Sequence, residues 1–412
     1  MTGTASRFPG LSRRQALTSG LAVAALPLPF VRAHAAAPIR IGFPVPLSSP
    51  YADEAIEMVR GARVAIAMFN EQGGLQGRPA ELLIRDTQLE TTVAGNVTRD
   101  LIAHDHIDFV TGGLSASGQI AINAAARHGN VLFNSVSESD QIVARPDWAP
   151  TTFHEAPTPH MMTQVVGDYA FPQYGKRVAF LAADYAFGDQ LVDGLKLVAK
   201  RFGIEPVIVV KHRLGTTDFT ADLKQIAAAR PSVLMLCNFG PDQQYAVQQA
   251  SWMGLKKQMK LVAPVLSMTA RLAAGSEAYE DVIGGLSYYW RLEDTVPTAN
   301  SFNRRFREMN EGRVPTAYAS LGFAGPMTVL TAAKQAGSVA TYKLIAAMEG
   351  MKYDLYKGPE SYRACDHQAV QSLLVVESRF TVEASDRDVF NIMKTYPASE
   401  TYLASCESLG HK

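Results

Sequence analysis

The chain has 412 residues, 47% hydrophobic and 19% charged, with 39 basic and 39 acidic side chains. That length provides for two or three domains with real cores. Ordinary counts of Gly (31) and Pro (22), with three Cys, exclude collagenous, disordered and disulfide-scaffold classes. Balanced charge gives no electrostatic case for a nucleic-acid or anionic-membrane partner.

Residues 1–37 read as an export segment. Arg13-Arg14 precede an apolar run over 17–30, and Ala33-His34-Ala35 supplies an A-x-A cleavage site. The paired arginines mark the twin-arginine variety, although Ala16 stands where that signal usually carries Phe. The run is about 14 residues, interrupted by Pro27 and Pro29, and short of the roughly 20 needed for a membrane span. Cleavage after Ala35 or Ala37 leaves 35 basic against 39 acidic side chains, and places a soluble, periplasmic protein outside the inner membrane.

Strands and helices then alternate. Residues 39–43 read as a buried strand and 54–71 as an amphipathic helix ending at Gly73-Gly74. The cycle repeats as strand 81–84, helix 92–104, strand 107–111, helix 119–127 and strand 131–133. After a proline-rich junction (Pro146, Pro150, Pro157, Pro159) it starts again. Strand 177–182, helix 190–202, strand 206–210, helix 219–229, strand 233–236, helix 243–252 and strand 260–262 follow in turn. Beyond Trp290 come helical stretches at 299–309 and 318–348, then a last strand at 371–376. The expected fold is α/β, with two doubly wound parallel sheets in tandem.

Open α/β sheets bind ligands beyond the carboxyl ends of their strands. The loop Gly112-Gly113-Leu114-Ser115-Ala116-Ser117-Gly118 opens a helix. It reads either as a carboxylate site, with small residues, Ser hydroxyls and a helix N-terminus, or as a glycine-rich turn capped by Ser. Ser137 and Glu138 follow the next strand, and Tyr51 follows the first. In the second unit Tyr185 and Phe187, then Phe239, occupy loops after strands. Aromatics there suit a ligand better than a core.

No catalytic constellation, metal-ligand spacing or nucleotide motif emerges, so a non-enzymatic binding protein without cofactor or metal is expected. In an oxidising compartment Cys365 and Cys406, both in loop-like sequence, are either a disulfide or two free thiols. Cys237 reads as a core side chain.

The ordered features resemble the type I periplasmic solute-binding proteins, in the leucine/isoleucine/valine-binding branch that serves ABC importers. The carriers run from Ile39-Arg-Ile-Gly-Phe-Pro-Val-Pro-Leu-Ser through Asn70-Glu-Gln-Gly-Gly-Leu-Gln-Gly77, Gly112-Gly-Leu-Ser115 and Asp184-Tyr-Ala-Phe-Gly188. They continue through Gln248-Gln-Ala-Ser-Trp-Met-Gly-Leu255 to Arg363-Ala-Cys-Asp-His-Gln368. The resemblance implies two lobes, 38–156 plus 290–358 and 157–289 plus 359–385, joined by a three-strand hinge, with 386–412 as a C-terminal tail. It implies that Ser115, Ala116 and Ser117 clamp a ligand carboxylate beside Ser137 and Glu138. Tyr51, Tyr185, Phe187 and Phe239 would flank the ligand.

One departure bears on the ligand. Where amino-acid binders of this family carry an acid for the ligand's ammonium, this chain has Val265, in Ala263-Pro264-Val265-Leu266. Burying an unpaired ammonium is costly. Either Glu138, Asp184 or another acid replaces it, or the ligand is a carboxylate with an apolar or aromatic body. The expected partners are that small molecule and an ABC permease, with the protein a monomer. A free hydrophobic amino acid as ligand, and an amide- or urea-type sensor of the same fold, are the alternatives.

Overall fold

The computed structural model describes residues 1–4, 37–383 and 387–411. The expected export segment falls almost wholly outside them. The first half runs β1 (Ile39–Val45), α1 (Ala52–Glu71), β2 (Ala80–Asp86), α2 (Thr91–Ala103), β3 (Phe109–Gly112), α3 (Ala116–His128), β4 (Leu132–Ser135) and β5 (Thr152–His154). The rhythm continues with α4 (Pro159–Tyr174), β6 (Val178–Ala183), α5 (Ala186–Arg201), β7 (Ile208–His212), α6 (Thr220–Ala228), β8 (Val233–Cys237), α7 (Gly240–Trp252) and β9 (Lys260–Ala263). Then come α8 (Met268–Ala274), α9 (Ser276–Tyr279), β10 (Ile283–Leu286), α10 (Pro297–Met309), α11 (Ala317–Ala336) and α12 (Thr341–Met348). The short strands β11 (Lys352–Tyr353), β12 (Glu360–Tyr362) and β13 (Ala369–Val370) precede β14 (Leu373–Ser378) and β15 (Phe390–Tyr396).

The first sheet has the order β2-β1-β3-β4-β5, all parallel. The second has β15-β14-β10-β9-β8-β6-β7, parallel except at the antiparallel pairs β10–β14 and β14–β15. Its run β7-β6-β8-β9-β10 repeats the first sheet's order. Buried apolar clusters lie on both faces of the first sheet, under α1 and α11 on one side and α2 and α3 on the other. That is why β3 and β4 are buried along their whole length rather than in alternation.

Helices α1 and α11 touch backbone to backbone. A Cβ on Gly61 would lie 1.8 Å from the Ala319 carbonyl oxygen, and one on Gly322 would lie 2.0 Å from that of Met58. Only glycine at both points lets the helices approach this closely.

Three departures from the sequence expectation have local causes. Residues 159–174, taken with the proline-rich junction, form helix α4: Pro159 sits in the first turn, where its missing N–H is harmless, and the Thr158 hydroxyl accepts from Met161 N–H. The single stretch 318–348 is broken into α11 and α12 at Gly337, which takes a left-handed cap conformation. In the segment expected as a tail, β15 pairs along β14. Only its end residues Phe390 and Tyr396 are buried, so the strand carries little hydrophobic pattern.

The chain passes between the sheets three times, after β5, after β10 and before β14, and one buried polar cluster ties the crossings together. Gln371 Nε2 donates to the Glu155 carbonyl at 2.7 Å. Lys357 Nζ donates to the Ser287 carbonyl (3.2 Å) and to Gln371 Oε1 (2.5 Å), with Glu360 Oε1 at 3.6 Å. The hydroxyls of Tyr353 and Tyr362 donate to Glu155 Oε2. Burial pushes Glu155 up to about 7 despite those donors, and holds Lys357 below its ordinary value. Cys365 and Cys406 form a disulfide, fastening the chain end beside the third crossing.

Candidate functional site: a cavity between the sheets

The loops after β3 and β4 of the first sheet and after β6 and β8 of the second face a common cavity at the carboxyl ends of their strands, the placement open α/β sheets favour for ligands. The first sheet's side contributes Leu114, Ala116, Val136, Ser137 and Glu138; the second contributes Tyr185, Phe187 and Phe239. Tyr318, at the start of α11, completes a wall. The space they border, counted with its open side, is about 310 Å³. Nearly all its lining is apolar or aromatic, and no Lys, Arg or His is among it.

The two sides are in contact. The Tyr51 ring stacks on that of Phe239 at 4.6 Å, and Phe239 meets Phe187 edge-on at 5.4 Å. Glu54 on α1 accepts hydrogen bonds from the Ser267 and Thr269 hydroxyls beyond β9. The Asp140 N–H donates to Gln190 Oε1 at 3.0 Å.

Polar groups in the cavity are few. Ala116 opens α3, whose first N–H groups lack acceptors within the helix. The Ser115 hydroxyl takes one of them, that of Gly118, at 3.0 Å. The Ser137 hydroxyl is buried without a hydrogen-bond partner. Its carbonyl accepts from His154 Nε2 at 2.7 Å, while His154 Nδ1 meets Gln368 Oε1, so that imidazole is fully engaged in structure. Burial pushes Glu138 up to about 8. Behind the aromatics lies Asp242, raised to about 7 by burial. It accepts from the Gly215 N–H (3.0 Å) and the Tyr51 hydroxyl, which fixes the Tyr51 ring.

Of the residues anticipated from sequence, Ala116, Ser137, Glu138, Tyr185, Phe187 and Phe239 line the cavity together. Tyr51 lies one layer out, holding Phe239. Ser115 is committed to capping α3, and Ser117 is exposed on that helix. Val265 is buried away from the lining, its carbonyl accepting from Gln243 Nε2 at 2.8 Å. Asp184 is exposed and paired with Lys211 at 3.1 Å, so of the two acids considered for an ammonium only Glu138 faces the cavity. Leu114, Val136 and Tyr318 were not anticipated. Leu114 and Val136 stand beside residues that were, but nothing near Tyr318 in sequence marks it as facing another domain's loops. Among the described residues no group of His, Cys, Asp and Glu could hold a metal ion, and no helix is long and apolar enough to cross a membrane.

Residues 38–385 match the family described as periplasmic binding protein. The Leu/Ile/Val-binding protein homolog 1 of Brucella abortus (strain 2308) is 24% identical over 339 residues, covering 82% of this chain and 88% of that protein. The amino acid ABC transporter substrate-binding protein of Pseudomonas fluorescens Pf-5 superposes with a TM-score of 0.81 at 24% identity, over 90% of this chain and 99% of that one. A solute-binding protein of an ABC transporter from Rhodopseudomonas palustris BisB5, in complex with 3,4-dihydroxybenzoic acid, gives 0.77 at 20% identity, over 87% and 97%. With two parallel-sheet lobes, an aromatic-lined cavity between them and a family match across nearly the whole described chain, the protein is a solute-binding member of the periplasmic binding protein family, in its type I, branched-chain amino acid branch.

Proposed function

We propose that the protein captures a small carboxylate with an apolar or aromatic body and delivers it to the permease of an ABC importer. The carrying observation is the cavity itself: Tyr185, Phe187, Phe239 and Tyr318 around an apolar space, with the uncapped N–H groups of α3 at one edge. Those N–H groups suit an anion, and the rings suit a flat or branched apolar body. The lobes are taken as 38–156 plus 290–358 and 157–289 plus 359–385, hinged at the three crossings, in a monomer exported by the twin-arginine route.

A free hydrophobic amino acid is the second reading, favoured by the presence of one acid, Glu138, in the lining. Both ligand types occur on this fold: relatives include Leu/Ile/Val-binding homologues and a complex with 3,4-dihydroxybenzoic acid. A thermal-shift screen against aromatic and aliphatic acids, amino acids and small amides separates the readings. A ligand at a thousandfold excess over its Kd adds about 4 kcal/mol, a shift of several degrees. Shifts from aromatic acids and not from leucine or valine support the carboxylate reading; the converse pattern overturns it.

A further inference from the structure

We propose that Glu138 is the specificity-determining acid of this cavity: it keeps its proton and donates it to the ligand carboxylate, so that a carboxylic acid and a carboxylate share one hydrogen. The inference rests on the carboxylate reading above and names what that site demands of its ligand.

The geometry places an acid and an anion-binding helix N-terminus on one cavity. The turn carrying Glu138 is laced to the turn that opens α3: the Val136 N–H donates to the Gly112 carbonyl at 3.3 Å, and Gly113 packs against Ser137. Ala116, the first residue of α3, and Glu138 line the same cavity. A carboxylate held at the α3 N-terminus therefore shares the cavity with the Glu138 carboxyl, and two carboxylates sharing one site favour holding a proton between them. Among the described residues no Lys, Arg or His lines the cavity to neutralise the pair. The titratable groups facing Glu138 are the phenols of Tyr185, from the loop before α5, and Tyr318, from α11. On β5, His154 has both ring nitrogens committed to Ser137 and Gln368. Asp140, two residues on, accepts from the His160 N–H at 2.8 Å. The unpartnered Ser137 hydroxyl supplies a second donor for the same ligand oxygens.

Burial pushes Glu138 up to about 8, which favours its protonated form at neutral pH. An O–H···O⁻ bond from it is short and strong in such surroundings. The opposite arrangement, an ionised Glu138 pairing a ligand ammonium, makes the opposite demand on the proton, and this is what separates them.

The test is calorimetric titration of the purified protein and of Glu138→Gln with benzoate, phenylacetate and L-phenylalanine, from pH 6 to 9.5, in two buffers of different ionisation enthalpy. The aromatic acids are expected to bind with a Kd that is flat below about pH 8 and then rises up to tenfold per pH unit, with close to one proton taken up per ligand at pH 9. Glu138→Gln, whose amide is a weaker donor, is expected to bind the acids less tightly and with neither the pH dependence nor the proton uptake. Two results overturn the role of Glu138 while leaving the carboxylate reading standing: acids that bind with no pH dependence or proton uptake, or a folded Glu138→Gln protein whose binding keeps both. If neither acid binds at any pH, the carboxylate reading falls and this inference with it. Tightening affinity for L-phenylalanine up to pH 8, with proton release, would make Glu138 an ammonium partner instead.

Discussion

The Tyr51 ring, anchored before α1, lies 4.6 Å from the Phe239 ring at the head of α7 and nearly parallel to it, the two side chains arriving from opposite sheets. Tyr51 does not line the cavity, so its contribution to binding acts through closure. Removing the stack in Tyr51→Ala is expected to cost about 1 kcal/mol of the closed state, roughly a fivefold rise in Kd. Phe239→Ala removes cavity wall as well and should cost more. Titration calorimetry checks both; an unchanged Kd in Tyr51→Ala would show that the stack does not bias closure.

Ser115 is the cap of α3, and its loss should be visible without any ligand. Ser115→Ala is expected to destabilise the protein by about 1 kcal/mol, measured by urea unfolding. A carboxylate ligand should also bind more weakly, because the first turn of α3 is no longer fixed. Lost stability with unchanged affinity would confine Ser115 to the helix.

Stability should fall as pH rises from 6.5 to 8.5. Burial raises Glu138 to about 8, and Asp242 and Glu155 to about 7. Between the ordinary carboxylate range and those values the folded protein holds protons that the unfolded chain has released, so rising pH favours unfolding. The buried imidazoles of His154, His160, His212 and His367, held below 6.5, act in the other direction only under that pH. Thermal melts should show a declining Tm across this window, shallower in Glu138→Gln. A Tm that rises across it would contradict the assignment.

The Cys365–Cys406 disulfide closes a loop with a sequence separation of 41. By the chain-entropy relation such a loop is worth up to about 4 kcal/mol, so reduction or Cys406→Ser should lower Tm by several degrees. Because the bond fastens the chain end beside the third crossing, ligand affinity should change less than stability. A Tm unaffected by reductant would show that the chain end holds without it.

How far the sequence could be read depended on where information is local. Runs such as 178–183 and 233–237 are buried on both sheet faces, so their unbroken apolar character announced parallel strands. Loops after such strands could be located by arithmetic, and Phe187, Phe239 and Glu138 were found that way. Tyr318 was not, because α11 enters the site from far along the chain from every loop that it faces and is buried almost throughout, so no polar stripe marks its working side. The Ser115 cap and the Ser117 exposure turn on helix phase within one turn. The inter-crossing cluster around Lys357 escaped for a related reason: Glu155, Ser287 and Gln371 are unremarkable singly and meet only through the topology.

The glycine contacts between α1 and α11 have a consequence for anyone who would reshape this cavity. Tyr51 stands at the head of one helix and Tyr318 at the head of the other, and with Gly61 and Gly322 letting the two backbones touch, the pair forms a single jaw that carries both rings. Neither tooth can be retracted by sliding its own helix. Room for a bulkier guest must come from trimming a ring, whereas any side chain placed at Gly61 or Gly322 would wedge the jaw apart and misplace both tyrosines at once.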